Sequence, residues 1–138
     1  MLEVTNITKH YRSPTGELRI LTEVSLSLAA GDAASIVGPS GSGKSTLLYI
    51  LGTLEQPSSG HIAVDGIDPF TLDDRELAVF RNTQVGFVFQ DHLLLPQCTV
   101  LENVLVPTLV SDSDASVVDR AISLLEQVGL ADRMDHRP

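Results

Sequence analysis

The feature that most constrains this chain is a glycine-rich loop near the end of its first third. Residues 38–45 read Gly-Pro-Ser-Gly-Ser-Gly-Lys-Ser and match the pattern G-x-x-x-x-G-K-[ST]. Glycines allow consecutive backbone N–H groups to point into one concave nest that suits phosphate oxygens. Such a loop is expected between a strand and a helix, because the N-terminus of a helix favours an anion.

The residues on either side of the loop supply that context. The short apolar run at residues 33–37 predicts a buried strand, and residues 44–51 predict a helix that ends at Gly52. Lys44 is expected to reach the β- and γ-phosphates of a nucleotide, and the Ser45 hydroxyl is expected to bind Mg²⁺. The predicted phosphate-binding residues are Gly38, Pro39, Ser40, Gly41, Ser42, Gly43, Lys44, Ser45 and Thr46.

Charge and composition limit the partners of this loop. The 138 residues include 9 Lys+Arg and 18 Asp+Glu, which gives a net charge of −9. No basic run is present, so a nucleic-acid-binding protein is excluded. No other Lys or Arg stands between Arg19 and Arg75, so Lys44 is an isolated cation. The single cysteine, Cys98, fits a reducing compartment, and no signal peptide or membrane-spanning stretch is expected.

Apolar patterning predicts the remaining strands. The predicted strands cover residues 2–8, 17–28, 61–64 and 84–90. The run at residues 62–65 superficially resembles an apolar strand that ends in a Mg²⁺-binding Asp. Because Gly66 follows Asp65, we interpret the pair as a hairpin turn instead.

Capping residues and helical spacing predict three further helices. Asp73 and Glu76 favour a helix that continues to about Asn82. A short helix is predicted over residues 100–106, before Pro107. A third, over residues 118–128, is expected to end at Gly129, with candidate caps at residues 111–114. The chain is therefore predicted to be α/β.

Several segments, in order along the whole chain, resemble the nucleotide-binding subunit of ABC transporters. Residues 2–11 resemble the first strand of that family and lead to an aromatic residue, Tyr11. Residues 53–62 resemble its "xxPxSGxI" turn, and residues 85–90 resemble the strand that ends in the Q-loop glutamine, Gln90. Residues 93–104 resemble its "LLPxxTxxENV" segment. Among the subfamilies, the amino-acid sequence of these segments is most similar to the lipoprotein-release and macrolide-export group.

The resemblance implies a P-loop NTPase fold, with a RecA-like core, an N-terminal antiparallel β-subdomain and the start of a helical subdomain. Residues 1–90 would form the β-subdomain and the core, and residues 91–138 would form the Q-loop and the first part of the helical subdomain. The family's signature loop, Asp-Glu strand and switch histidine have no counterpart in the sequence. We therefore expect a truncated domain that is inactive alone and marginally stable, because its core strands would lack neighbours.

The resemblance also implies roles for individual residues. Tyr11 would stack on adenine, and Gln90 would contact Mg²⁺ or the attacking water. The implied catalytic residues are Lys44 and Gln90, the implied metal ligands are Ser45 and Gln90, and the implied cofactors are ATP and Mg²⁺. Two alternatives stay open, namely that Tyr11 is a surface tyrosine at the end of a strand and that Gln90 is an ordinary polar strand end.

For the whole protein, the resemblance implies ATP binding and hydrolysis coupled to export or lipoprotein release. Residues 90–106, with the apolar loop 93–96, would dock on membrane-embedded subunits, although that loop also fits an ordinary core. A homodimer of nucleotide-binding domains at the cytoplasmic face of the inner or plasma membrane is expected. The alternatives are a non-catalytic nucleotide-binding fragment and a small P-loop kinase. A kinase would need an arginine-rich lid, for which only Arg75 and Arg81 are available.

Overall fold

A computed structural model describes residues 1–14, 16–110 and 116–138. The chain divides into two units, Met1–Arg81 and Asn82–Pro138. The helix caps predicted at residues 111–114 lie outside the described residues. The domain boundary predicted after residue 90 stays a prediction.

The first unit contains an antiparallel sheet of three strands. These are β1 (Leu2–Ser13), β2 (Gly16–Leu28) and β3 (Ser59–Val64), in the spatial order β2-β1-β3. The central strand β1 pairs Leu2 with Leu28 on one side and with Val64 on the other. The strands predicted at residues 2–8, 17–28 and 61–64 are confirmed, and β1 continues to Ser13. This sheet is the antiparallel β-subdomain that the resemblance implied.

Helix α1 (Lys44–Leu51) coincides with the predicted helix and joins the core of the first unit. Its buried residues Leu47 and Ile50 lie in one cluster with side chains from the sheet. Fully burying a side chain such as Ile50 contributes about 1.5–3 kcal/mol. The apolar face of α1 therefore holds the helix, and the loop before it, against the sheet. The sheet residues of this cluster are Val4, Ile7, Leu21 and Ile62.

Gly60 allows β1 and β3 to approach closely at an irregular point of their pairing. The register between the strands shifts between Thr5 and Thr8. At Gly60 the backbone has φ +95°, and an added Cβ would lie 2.4 Å from the carbonyl oxygen of Asn6. No side chain fits there, because the obstructing atom belongs to the backbone.

The pair Asp65-Gly66 forms the turn that follows β3. Both residues have positive φ, 49° and 81°, as the central residues of a type I′ turn do. Val64 and Ile67 exchange backbone hydrogen bonds of 2.9 and 3.0 Å across the turn. The Asp65 carboxylate contacts the amino group of Met1. The turn interpretation is confirmed.

Helix α2 (Asp74–Gln84) begins with the predicted cap. The Glu76 N–H donates to the Asp73 carboxylate at 2.8 Å, and the Asp73 N–H donates to the Glu76 carboxylate at 3.1 Å. This reciprocal pair satisfies two backbone donors at the start of the helix.

Two predicted strands do not form among the described residues. Residues 33–37 and 85–89 belong to no strand, and Gln84 is the last residue of α2. The side chains of Val37 and Val88 are 85% and 102% exposed. A strand requires a hydrogen-bonded neighbour, and the described residues supply none for either segment. The expectation of a buried parallel strand before the glycine-rich loop is therefore wrong for this chain.

The described part of the second unit includes α3 (Val100–Leu105) and α4 (Ser116–Gln127). Thr99 and Glu102 form a reciprocal cap at the start of α3. The prediction that α3 stops before Pro107 is confirmed, although a 3₁₀ turn, Val106–Val110, continues the chain. Helix α4 buries Ala121 and Leu125.

Candidate functional site

The glycine-rich loop leads directly into the N-terminus of α1. Gly43 is the N-cap in a left-handed conformation, and the Leu47 N–H donates to its carbonyl oxygen at 2.8 Å. Within the described part of the chain, no side chain caps this end, and the first turn contains no acidic residue. The N–H groups before Leu47 precede the helical ladder, so they can donate to an anion.

Gly43 also fixes the end of the loop against strand β2. A Cβ at this position would lie 2.9 Å from side-chain carbons of Ile20 and Leu21 and 3.0 Å from the Ile20 carbonyl oxygen. Gly41 has φ +77°, but an added Cβ would meet open space. The last loop glycine is therefore required by packing as well as by conformation, whereas Gly41 is required by conformation alone.

The side chain of Lys44 folds back across the loop. Its ammonium nitrogen Nζ donates to the carbonyl oxygens of Gly38 at 3.0 Å and of Pro39 at 2.7 Å. An ammonium has three donors, so one is left for an oxygen of a ligand. The loop thus combines a fixed cation with free backbone N–H groups at one helix end, an arrangement suited to phosphate.

Tyr11 lies near the end of β1, where it contacts residues distant in sequence. Its phenol donates to the Glu55 carboxylate, and the Lys9 ammonium lies 5.1 Å from the centre of its ring. Lys9 Nζ also lies 2.9 Å from the Glu55 carboxylate and donates to the Gln56 carbonyl oxygen at 2.7 Å. The residue is 39% exposed. Tyr11 is thus a partly exposed ring held by several polar contacts.

The electrostatics of this group follow from those contacts. The hydrogen bond to Glu55, burial and the charge of Glu55 raise the pKa of Tyr11, and a hydrogen bond with Thr46 opposes them. Burial raises the pKa of Glu55, but the hydrogen bonds from Tyr11 and Lys9 and the Lys9 charge outweigh it, so this pKa is lowered. Thr46 stands in the first turn of α1, directly after the glycine-rich loop.

Gln90 lies in the second unit, and its side chain is exposed. The rings of Phe87 and Phe89 before it stack with centres 5.2 Å apart, so alternate side chains point to one side of this segment. In the first unit, the structure places Tyr11 near the end of β1 and the predicted phosphate-binding residues in the loop and the first turn of α1. The role predicted for Gln90 stays a prediction.

The apolar loop after Gln90 is anchored by one asparagine. The Leu95 N–H donates to the Asn103 side chain at 2.8 Å, and the Asn103 amide donates to the carbonyl oxygens of Leu95 and Thr99 at 3.1 and 2.9 Å. The side chains of Leu93, Leu94 and Leu95 are 63%, 45% and 38% exposed. The alternative that this loop is ordinary core is therefore wrong for this chain.

Sequence reasoning missed Lys9, Glu55 and Asn103 as parts of these arrangements. Glu55 is 44 residues from Tyr11, so no local pattern joins them. The contact of Asn103 could have been predicted in part. Asn103 follows Thr99 and Glu102, whose residue types predict a helix cap, and from there its side chain can reach the preceding loop.

Within residues 1–14, 16–110 and 116–138, no group of three or more His, Cys, Asp or Glu side chains could hold a metal ion. Within the same ranges, no helix has both the length and the apolar character needed to cross a membrane.

Comparison with known proteins identifies a family. The family model described as ABC transporter matches residues 21–138. The chain is 51% identical over 139 residues to the lipoprotein-releasing system ATP-binding protein LolD 1 of Rhodopirellula baltica. It is 48% identical over 141 residues to LolD of Geobacter metallireducens. All of this chain aligns, but it spans only 61% and 62% of the length of these relatives.

Solved structures give the same result. The dimeric structure of MJ0796, a bacterial ABC transporter cassette, is similar with a TM-score of 0.88 and 38% identity. A post-hydrolysis state of the MJ0796 cassette, bound to ADP and Pi, is similar with the same TM-score and identity. In both cases the match covers 100% of this chain and 62% of the other. The predicted P-loop NTPase fold class is confirmed by these similarities.

Proposed function

The chain belongs to the ABC transporter family, and we propose that it is the N-terminal part of the ATP-binding subunit of a lipoprotein-releasing system. The observation that carries this proposal is the loop of residues 38–45, in which Lys44 and the free N–H groups of α1 converge. The chain spans 61–63% of the length of the relatives named LolD. The activity of the whole subunit, ATP hydrolysis coupled to lipoprotein release, is part of this proposal.

Phosphate binding follows from the loop itself. Backbone N–H groups at the end of the loop and in the first turn of α1, from Gly43 to Thr46, would donate to the phosphate oxygens, and Lys44 would neutralise charge at the β- and γ-phosphates. Lys44 is already held across the loop by two carbonyl oxygens. The cation therefore needs little reorganisation when a phosphate arrives.

The nucleobase would stack on Tyr11. Tyr11 is 39% exposed, and its phenol is held by the Glu55 carboxylate. Stacking of a base on an aromatic side chain contributes about 1–3 kcal/mol. Tyr11 and the loop would therefore bind the two ends of one nucleotide.

The proposed Mg²⁺ site uses oxygen donors, as this hard cation requires. The hydroxyl of Ser45 lies exposed in the first turn of α1, and the side-chain oxygen of Gln90 is a donor of the same type. Each of these residues would supply one oxygen ligand, and the phosphates of the nucleotide would supply others. When bound, Mg²⁺ would neutralise charge on the β- and γ-phosphate oxygens.

The proposed partners are membrane-embedded transporter subunits and a second ATP-binding subunit. Residues 90–106 would dock on the membrane-embedded subunits, since Leu93, Leu94 and Leu95 offer exposed apolar surface. The similar MJ0796 cassette is dimeric, which supports a homodimer. The proposed location is the cytoplasmic face of the inner or plasma membrane.

Measuring nucleotide binding and turnover separately tests the proposal. We expect calorimetric binding of ATP, and Lys44→Ala should weaken it about tenfold or more, because a charge-assisted hydrogen bond is lost. Arg19→Ala removes the same charge from an exposed position of β2 and should change little. Absence of ATP binding, or equal binding by Lys44→Ala, would refute the proposal.

Measuring ATP turnover distinguishes an ATP-binding fragment from a kinase. We propose that the 138 residues bind ATP without hydrolysing it, because their sequence contains no apolar strand that ends in Asp-Glu. Release of inorganic phosphate is therefore expected to stay at the background rate. Transfer of phosphate to a small-molecule acceptor would favour a kinase and contradict the transporter assignment.

A further inference from the structure

The side chain of Tyr11 contacts two others, those of Lys9 and Glu55, and all three residues lie outside the glycine-rich loop. Its phenol donates to Glu55, Lys9 lies over its ring, and Lys9 pairs with Glu55 at 2.9 Å. The Gln56 carbonyl oxygen accepts a further hydrogen bond from Lys9 at 2.7 Å. Each of the three side chains therefore contacts the other two.

This arrangement distinguishes the two faces of the ring. An aromatic ring has two faces that can attract a cation or stack on a planar group. The ammonium of Lys9 lies over one face of Tyr11, and its charge is balanced by Glu55. A nucleobase would therefore stack on the face opposite Lys9, which carries no ammonium.

Holding the ring in advance has a thermodynamic effect. An aromatic side chain at the end of a strand would otherwise sample several rotamers, and binding a base would have to restrict them. The carboxylate of Glu55 fixes the phenol end of the ring, and the side chain of Glu55 is only 25% exposed. Less entropy is lost when the base binds to a ring that is already oriented.

We propose that Glu55 is a positioning residue that, through the Tyr11 phenol and Lys9, orients the Tyr11 ring to receive the base of a bound nucleotide. This role rests on the proposed nucleotide-binding function. If Glu55 has this role, it contributes to the affinity for nucleotides but not to the affinity for inorganic polyphosphate, which has no base. A residue that merely stabilised the fold would affect both ligands equally.

The first test compares two ligands. Calorimetry with ATP and with inorganic tripolyphosphate is carried out on wild type, Glu55→Ala and the control Glu126→Gln, which removes an exposed charge from α4. We expect Glu55→Ala to raise the Kd for ATP about five- to tenfold, a part of the full stacking contribution, with no change for tripolyphosphate. Equal losses for both ligands, or no loss for ATP, would overturn the proposal.

A double-mutant cycle tests the route through the phenol. Tyr11→Phe keeps the ring but removes the hydrogen bond to Glu55, so it should weaken ATP binding as Glu55→Ala does. The double variant should lose no more than about twofold beyond either single variant, because both changes break one connected unit. Fully additive losses would overturn the proposed route.

A conservative variant and a spectroscopic signal complete the test. Glu55→Gln keeps an oxygen that can accept from the phenol, and it should restore more than half of the affinity that Glu55→Ala loses. In a Tyr49→Phe background, a tyrosinate absorbance titration should find a lower pKa for Tyr11 in Glu55→Ala. Failure of either result would contradict the contact between Glu55 and Tyr11.

Failure of the proposed nucleotide-binding function and failure of the role of Glu55 would give different results. Wild type that binds neither ATP nor tripolyphosphate would contradict the proposed function itself. Wild type that binds ATP more tightly than tripolyphosphate, with Glu55→Ala unchanged, would leave that function intact and overturn only the role of Glu55.

Discussion

The ammonium nitrogen of Lys44 lies 2.7 Å from the carbonyl oxygen of Pro39 and donates a hydrogen bond to it. The same nitrogen donates to the carbonyl oxygen of Gly38, so the Lys44 ammonium connects the end of the loop to its first two residues. These contacts are exposed, and a hydrogen bond of this kind contributes only about 1 kcal/mol to stability. We therefore expect Lys44 to matter more for the proposed phosphate binding than for folding.

The first prediction uses this difference. Lys44→Ala should lower the free energy of unfolding by about 1–2 kcal/mol without ligand. ATP at about 100 times the wild-type Kd should stabilise wild type by about 2.7 kcal/mol, and it should stabilise a variant with a tenfold higher Kd by only about 1.4 kcal/mol. Thermal unfolding with and without ATP measures both effects, with Arg19→Ala as the control. A variant that ATP stabilises as much as wild type would contradict the role of Lys44.

The second prediction concerns the close approach of β1 and β3. Gly60→Ala should destabilise the protein by about 3 kcal/mol or more, since its Cβ would lie 2.4 Å from the Asn6 carbonyl oxygen. Gly66→Ala has a similar positive φ but nothing within 4 Å of its Cβ, so it should cost only about 1 kcal/mol. Denaturant unfolding of the two variants measures the difference. Equal losses would mean that backbone conformation, not steric contact, limits Gly60.

The third prediction concerns acid. Hydrogen bonds from the backbone and side chain of Thr99 hold the pKa of Glu102 below its ordinary 4.5, against a small effect of burial and with help from the charge of Arg137. Because the folded pKa is lowered, the stabilisation is present above the ordinary value and is lost as pH falls through the folded pKa.

The measurement compares wild type with Glu102→Gln, which keeps an acceptor but does not titrate. The stability advantage of wild type should be constant above about pH 6 and should shrink towards about pH 3. Glu126→Gln provides a charge-matched control on α4. An advantage that does not change over this range would show that the Glu102 carboxylate does not titrate with folding.

The fourth prediction concerns the segment before Gln90. The side chain of Val88 is 102% exposed, and this segment has no strand partner among the described residues. We expect the 138-residue chain to be marginally stable, below about 5 kcal/mol, and to aggregate through such segments. Val88→Lys should raise the soluble fraction in a sedimentation assay more than Val128→Lys, which changes a residue 68% exposed after α4. Cooperative thermal unfolding of a stable wild type would contradict this expectation.

Much of the fold could be predicted from the sequence, because it depends on interactions between residues that are close together in the chain. The Asp65-Gly66 turn, the reciprocal cap of Asp73 and Glu76, and the helix that begins at Lys44 all depend on residues a few positions apart. Turn conformations and helix caps are local, so their residue types are enough to predict them. The phosphate loop was predicted for the same reason.

The strands at residues 33–37 and 84–90 were predicted wrongly because a strand depends on its neighbours as well as on its own residues. Their β-branched and aromatic residues suit a buried sheet, but pairing is a long-range property. The described residues offer these segments no partner, so their backbone stays outside the sheet.

By itself, the sequence determined that this protein has a glycine-rich loop followed by a helix, since eight consecutive residues specify both. Only the tertiary structure decided that Tyr11 meets Glu55, 44 residues away, and that Gly43 packs on Ile20. The pairing of β1 with β2 and β3, and the packing of α1 on them, bring these residues together. Such contacts follow from the placement of whole elements around a buried core, which no short stretch of residues specifies.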